Sequence, residues 1–205
     1  MSTDLATYVP IEELTDVPPP PPARPRVLLV ATVLATAATV MAFTGLLGVY
    51  LQRRSEALDV HGTWLPDGTA IALTTPNLML IGFGLSVVFM HWAVQAIGND
   101  DRRHTWMAFG AVLIVGAYYF VGTGFVFNQS GLAVNTPQGA VFYAVTGAHL
   151  ALTGAGMLFA ALMAFRTLGG QYSAKDREGV VAATVYWWAV ALTYAVLWYA
   201  IYVTK

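Results

Sequence analysis

The sequence has no cysteine and very few charged residues. Only 10% of its 205 residues are Asp, Glu, Lys or Arg, whereas soluble domains carry about 25%. Without cysteine the chain can form no disulfide, no iron–sulfur cluster and no zinc or copper site with thiolate ligands. The formal net charge of −1 at pH 7 leaves no basic excess with which to bind nucleic acid.

Apolar residues take the place of the missing charges. They make up 57% of the chain, and the mean hydropathy is +0.61. Five segments are free of Asp, Glu, Lys and Arg and long enough for a helix to cross about 30 Å of hydrocarbon. We therefore predict an all-α fold, a polytopic membrane bundle of about five transmembrane helices. The predicted spans are residues 27–51, 78–97, 106–127, 140–165 and 180–203.

Residues 1–26 differ in composition from the rest of the chain. They are polar and acidic, and the run Pro18 to Pro22 favours polyproline II over helix. A signal peptide is not expected, because the first apolar run begins only after Arg26 and is too long. We interpret residues 1–26 as a disordered, Pro-rich cytoplasmic tail and residues 27–205 as the transmembrane domain. A docking segment for a Pro-binding partner is the alternative for the tail.

The basic residues predict the orientation in the membrane. Lys and Arg in short loops are retained on the cytoplasmic side. With five alternating helices, seven of the ten fall on one side of the membrane, so we expect the N-terminus inside and the C-terminus outside. The seven are Arg24, Arg26, Arg102, Arg103, Arg166, Lys175 and Arg177, and the other three are Arg53, Arg54 and Lys205.

Ionisable groups are nearly absent from the predicted spans. Every Asp and Glu lies in the tail or in a loop, which argues against a proton pump, an ion-coupled transporter or a quinone site that needs a buried carboxylate. Only His91 and His149 fall within spans, whereas haem or copper needs ligands that converge from facing helices. We predict no catalytic, cofactor-binding or metal-binding residue in this chain.

The fourth and fifth spans contain the candidate packing residues. Thr146 and Thr153 flank His149 on one helical face, which indicates a hydrogen-bond cluster between helices or, alternatively, a contact with a lipid headgroup or a partner subunit. A small-residue face, Gly147, Ala151 and Ala155, would let another helix approach closely, from this chain or from a partner. The candidate packing or lipid-contact residues are Thr146, Gly147, His149, Thr153, Tyr186 and Trp187.

The order of motifs along the spans points to a known family. The motif residues are Met41, Phe43, Gly45, Gly48, Tyr50 and Leu51 with Arg53 and Arg54, then Pro76 to Leu80, then Phe142, Tyr143, Thr146, Gly147 and His149, and finally Tyr186 and Trp187. In this order the chain resembles the short, five-helix form of subunit III of cytochrome c oxidase, the third subunit of haem–copper terminal oxidases.

The chain is a divergent example of that pattern. The family has a Glu in the first of these helices. The corresponding position in this chain is near Thr39, where no Glu is present. The second His of the family aligns with Leu152, and its His and Asp after Tyr-Trp align with Trp188 and Ala191. Most of the buried ionisable groups of the family are therefore missing.

The resemblance implies an accessory role in a respiratory complex. The expected protein is a non-catalytic, stabilising subunit that packs on catalytic subunits I and II, binds phospholipid and supports aerobic electron transport and proton uptake. Haem and copper are then expected in the partner subunits and not in this chain. A larger respiratory supercomplex is a further expected partner, and the bacterial inner membrane, as a plasma membrane, is the expected location.

Two other functions stay open. One is an accessory or assembly subunit of a different membrane complex. The other is a component of a small membrane transporter, which would ordinarily show broken helices, inverted repeats or intramembrane charges. The sequence shows no internal repeat across its odd number of spans.

The orientation can be tested with a topology reporter. We expect a reporter fused after Lys205 to be active only outside the cytoplasm, because the basic loops hold the opposite ends of the helices inside. A reporter that proved cytoplasmic would contradict either the orientation or the number of helices.

Overall fold

The computed structural model describes residues 26–204, and in that range the chain forms five long helices and no strand. They are α1 (Val27–His61), α2 (Thr74–Gly98), α3 (Arg102–Ser130), α4 (Pro137–Leu168) and α5 (Glu178–Leu197), which continues as a π-helical turn, Trp198–Val203. All five are long and apolar enough to cross a membrane. The predicted all-α membrane bundle is confirmed, whereas its orientation stays a prediction. Residues 1–25 of the predicted tail and Lys205 lie outside the described residues.

The main difference from the predicted boundaries is the length of α1. The loop predicted from Gln52 onward is helical as far as His61, because this stretch contains no Gly or Pro. The side chain of Glu56 accepts hydrogen bonds from Gln52 at 3.0 Å and from Arg53 at 3.3 Å, pairs that stabilise a helix. The helix ends at Gly62, whose φ of 68° suits glycine and whose N–H donates to Leu58.

The helices pack around α5. This helix contacts α1, α2 and α4, while α3 packs between α2 and α4. The α5 side chains of Trp187 and Tyr194 are fully buried. The helix α4 approaches α5 closely at Gly156, where a Cβ atom would lie 3.0 Å from the ring of Tyr186 and 3.1 Å from that of Trp187. A side chain at position 156 would therefore have to displace one of these rings by a few tenths of an ångström.

Two turns meet at the end of the bundle where α2 and α4 finish. The backbone N–H of Ala174 donates to the carboxylate of Asp100 at 2.6 Å, which joins the α4–α5 loop to the α2–α3 turn. The next residue, Asp101, caps α3 by accepting the N–H of His104 at 3.0 Å, and it also pairs with the His104 ring. These bonds, led by the one from the His104 backbone, lower the pKa of Asp101. The capping carboxylate therefore stays ionised at neutral pH.

The outermost helix, α1, is held by polar contacts near both of its ends. It is the least buried of the five helices and packs on α4 and α5. Its first turn has no side-chain cap of its own. Instead, the carboxylate of Glu178 in α5 accepts the backbone N–H of Leu29 at 2.8 Å. Further along the helix, the Arg54 guanidinium donates to the carbonyl of Thr204. The carboxylate of Glu178 thus lies at the positive N-terminal ends of both α1 and α5.

Replacing Glu178 with Ala tests this shared cap. We expect Glu178→Ala to destabilise the protein by about 1 kcal/mol, because the first turn of α1 loses an acceptor. Hydrogen exchange should become faster in the first turn of α1, whereas Glu56→Ala at the exposed far end of the helix should leave that turn unchanged. Unchanged exchange at Leu29 in Glu178→Ala would show that the cap does not hold α1.

Candidate functional site

A single histidine lies at the centre of the bundle. His149 on α4 is completely buried. Its Nδ1 atom lies 2.7 Å from the hydroxyl of Tyr119 on α3, and its Nε2 atom lies 3.0 Å from the carbonyl oxygen of Val190 on α5. A carbonyl can only accept, so Nε2 carries the proton and Nδ1 accepts from Tyr119. Both nitrogens of a neutral imidazole are therefore engaged within the chain.

The ring of His149 also contacts aromatic residues from the other helices. Ring centroids lie 5.8 Å away for Phe43 on α1, 5.7 Å for Phe83 on α2, 5.2 Å for Tyr119 and 5.4 Å for Tyr194 on α5. These distances and tilted geometries are typical of favourable aromatic contacts. His149 is thus the point at which all five helices meet, and we call these five rings the central cluster.

The local sequence explains why His149 faces inward. Thr136 caps α4 by accepting the N–H of Gly139 at 3.0 Å, and Pro137 occupies the first helical position, as is common at helix starts. From there the buried positions recur every three or four residues, the period of one helical face. The buried positions are Gly139, Phe142, Val145, Thr146, His149, Thr153, Gly156, Ala160, Met163, Ala164 and Thr167.

The two predicted threonines lie beside His149 but do not extend its contacts to other helices. Thr153 donates to the carbonyl of His149 at 3.0 Å, and its oxygen lies 3.5 Å from Nδ1. Thr146 donates to the carbonyl of Phe142 at 2.6 Å. Both hydroxyls thus bond one turn back along α4. On this face of α4, the imidazole of His149 makes the strong hydrogen bonds to other helices.

The small-residue face of α4 points away from the rest of the chain. A Cβ atom on Gly147 would meet nothing within 4 Å, and Ala151 and Ala155 are exposed. The glycine on which α5 packs is Gly156, which the sequence analysis did not single out. Gly147 itself is half-buried, so the exposed part of the predicted face, at Ala151 and Ala155, is available to lipid or to a partner.

The two predicted aromatic residues of α5 occupy different environments. Trp187 is fully buried, and its indole N–H donates to the hydroxyl of Ser86 on α2 at 2.8 Å. Tyr186 is half-buried and donates to the carbonyl of Leu152 on α4 at 3.0 Å. Each of these aromatic side chains joins α5 to a neighbouring helix.

Sequence reasoning missed most partners of His149. Tyr119 and Phe83 lie in mid-span runs rich in apolar and aromatic residues, where no pattern distinguishes them, and Tyr194 is one of several aromatic residues at helical spacing in the fifth span. Their only signal was a hydroxyl or a ring at mid-membrane depth on the third, second and fifth spans. The partner at Val190 is a backbone carbonyl, which no side-chain pattern reveals.

The other intramembrane histidine has no comparable environment. His91 near the end of α2 is exposed. Among residues 26–204, no three side chains of His, Cys, Asp or Glu come together in a way that would hold a metal ion. The described histidines therefore form no convergent donor set.

Comparison with known proteins gives relatives named cytochrome c oxidase subunit 3. No family model matches the chain. It is 29% identical over 163 residues to cytochrome c oxidase subunit 3 of Thermostichus vulcanus, a match that covers 78% of this chain and 79% of the relative. It is also 29% identical over 182 residues to cytochrome c oxidase subunit 3 of Synechocystis, covering 87% and 76%.

A third relative extends the match to nearly full length. The chain is 23% identical over 186 residues to the probable cytochrome c oxidase subunit 3 of Nocardia farcinica, covering 89% of this chain and 90% of the relative. The chain resembles cytochrome c oxidase third subunits. These relatives support the family inferred from the order of motifs, and the low identities agree with a divergent chain. With five spanning helices, this is a multi-pass membrane protein.

Tyr119→Phe tests the histidine pair. We expect it to destabilise the protein by about 1 kcal/mol, because a buried Nδ1 acceptor loses its donor while the ring packing is kept. The measurement is unfolding by titration with a denaturing detergent. Tyr199→Phe serves as the control, because it removes a tyrosine hydroxyl from a residue that is 60% exposed. Equal effects of the two substitutions would contradict the role given to Tyr119.

Proposed function

We propose that this chain is the non-catalytic third subunit of a haem–copper cytochrome c oxidase, in a short five-helix form. The observation that carries the proposal is its similarity to proteins of that name over 78% to 89% of this chain. The five spanning helices support it. Its partners are the catalytic subunits I and II, which hold the haems and copper.

The contacts of His149 support a structural role for the chain. A ligand histidine must present a free nitrogen to its metal, whereas both nitrogens of His149 are bonded to Tyr119 and Val190. The polar groups described in the helices mainly bind one another or the backbone. The chain acts as a scaffold whose outer surface stabilises the catalytic subunits and binds phospholipid.

The distribution of charge supports the proposed orientation. Of the eight Lys and Arg residues between 26 and 204, six lie at the end where α1, α3 and α5 begin, and this end faces the cytoplasm. The outside end carries the other two. The six are Arg26, Arg102, Arg103, Arg166, Lys175 and Arg177, and the two are Arg53 and Arg54. The proposed location of the chain in a bacterial cell is the inner membrane.

The exposed face of α4 is the proposed contact with a catalytic subunit. Ala151 and Ala155 are exposed, and a Cβ atom on the half-buried Gly147 would meet nothing within 4 Å. Small residues at such spacing allow two helices in a membrane to approach closely. A partner helix along this face would bury it without a change in the bundle.

Copurification tests the proposed function. We expect the tagged chain, extracted in mild detergent, to bring down haem-containing partners with a reduced-minus-oxidised absorbance signal. A chain that copurifies only with haem-free proteins, or alone, contradicts the oxidase assignment. Haem that stays with the chain after all partners are removed contradicts its non-catalytic role.

The contact on α4 can be tested in the same experiment. Gly147→Leu should reduce the copurified haem at least several-fold, because a large side chain would hold the partner helix away. Gly124→Leu is the control, since Gly124 is exposed on α3 and its Cβ, like that of Gly147, would meet nothing within 4 Å. Equal haem recovery with both variants would place the contact elsewhere.

A further inference from the structure

Basic side chains collect at the end of the bundle where α1 begins. The α4–α5 loop and the α2–α3 turn meet there through the bond from Ala174 to Asp100. Glu178, the first residue of α5, reaches the first turn of α1 at Leu29. The basic residues of these turns are all exposed, and we call them the basic end: Arg102, Arg103, Arg166, Lys175 and Arg177.

The basic end makes no ion pair with the acidic residues between 26 and 204. The ion pairs in that range lie elsewhere, between Arg53 and Glu56 and between the His104 ring and Asp101. Three carboxylates at this end of the bundle accept backbone N–H groups, and they are those of Asp100, Asp101 and Glu178. Five exposed positive charges therefore have no counter-charge in the part of the chain that the structure describes.

The opposite charge is present in the segment that precedes α1. Residues 1–17 contain four acidic residues and no Lys or Arg. This segment lies outside the described residues, but the chain enters the bundle at Arg26, next to the first turn of α1 and so beside the basic end. The acidic residues are Asp4, Glu12, Glu13 and Asp16.

We propose that this acidic segment, residues 1–17, docks on the basic end of the same chain. Exposed ion pairs are individually weak, but a tethered segment is present at its site at an effective concentration on the order of millimolar. The contact is electrostatic and therefore sensitive to salt. It depends neither on the oxidase assignment nor on the orientation in the membrane.

The length of chain between the two partners permits the contact. Ten residues lead from Asp16 to Arg26, and at about 3.1 Å per residue, the rise of the polyproline II conformation that Pro18 to Pro22 favour, they span about 31 Å. Helix α1 packs on α4, and α4 packs on α3. The far side of the basic end is therefore about two helix spacings, or roughly 20 Å, from the start of α1.

Charge favours the acidic segment over lipid as the occupant. Anionic phospholipid headgroups would also be attracted to the basic end. An anionic membrane surface, however, repels the four carboxylates of the segment, so the basic end is the surface of opposite charge within their reach. The attachment at Arg26 keeps the segment beside that surface.

Distances between spin labels test the docking directly. The chain contains no cysteine, so labels can be attached at introduced cysteines in the full chain in nanodiscs of zwitterionic lipid. For Thr15→Cys with Gln171→Cys we expect a short, narrow distance distribution at low salt, and its loss near 1 M salt, where the Debye length is about 3 Å. The pair Ser55→Cys with Gln171→Cys, at exposed positions on opposite ends of the bundle, controls for the fold and should not change.

Charge variants identify the partners. Neutralising either side should abolish the short distance, whereas Arg53→Gln at the opposite end should keep it. Arg102 and Arg177 are left unchanged, because their guanidinium groups lie against Gly170 and Gly98 near the ends of α4 and α2. The acidic set is Glu12→Gln, Glu13→Gln and Asp16→Asn, and the basic set is Arg103→Gln, Arg166→Gln and Lys175→Gln. Exchanging the signs, with Lys at the three acidic positions and Glu at the three basic ones, should restore the short distance.

Several outcomes overturn the proposal. One is a broad distribution at low salt in the chain with its native charges. Another is a short distance that survives neutralisation, or one that the exchanged charges fail to restore while the fold control is unchanged. A short distance that is lost when anionic lipid is added to the nanodiscs would make lipid the preferred occupant of the basic end.

Discussion

The rest of the bundle depends on the pairing of both nitrogens of one buried imidazole. His149 on α4 accepts from Tyr119 on α3 and donates to the backbone of α5. In hydrocarbon no water replaces a lost partner, so an imidazole with an open nitrogen at this depth would be unfavourable. The three helices must therefore keep the distance and rotation at which both bonds form. Phe43 and Phe83 bring the remaining two helices to the same ring.

The other polar groups obey the same constraint. The indole of Trp187 bonds to Ser86 and the hydroxyl of Tyr194 to the carbonyl of Pro76, so α5 is tied to α2 at two levels. Each bond stabilises a membrane protein only modestly, by about 0.6 kcal/mol on average. Because hydrogen bonds are directional, they fix the rotation of each helix about its axis. Van der Waals packing between apolar helices alone specifies that rotation poorly. The proposed scaffold role, in which the outer surface contacts partner subunits, would need that rotation to be fixed.

The sequence was sufficient for the features that follow from hydropathy and charge. The five spans are visible because uncharged apolar runs need a hydrocarbon solvent. The inward position of His149 follows from helical periodicity, and its flanking threonines lie where the spacing places them. The continuation of α1 beyond Leu51 was not predicted, because polar residues such as Gln52 and Arg53 were interpreted as loop, although they are good helix formers and pair with Glu56.

The partners of His149 could not be predicted in the same way. A contact between helices depends on rotation and crossing angle, which one-dimensional spacing does not contain. Tyr119 and the neighbouring Tyr118 are equivalent in sequence, yet Tyr119 is 2% exposed and Tyr118 is 40% exposed. The small-residue face at Gly147 shows the same limit, since its spacing predicted a close approach of helices but not that the face would point outward.

The most direct test of the account is nitrogen-15 solid-state NMR of the chain with labelled histidine, in lipid bilayers, with His149 assigned through its loss in His149→Phe. The account predicts a neutral ring at neutral pH with the proton on Nε2 and an accepting Nδ1. A doubly protonated ring, a proton on Nδ1 or the shift of a metal-bound nitrogen would contradict it.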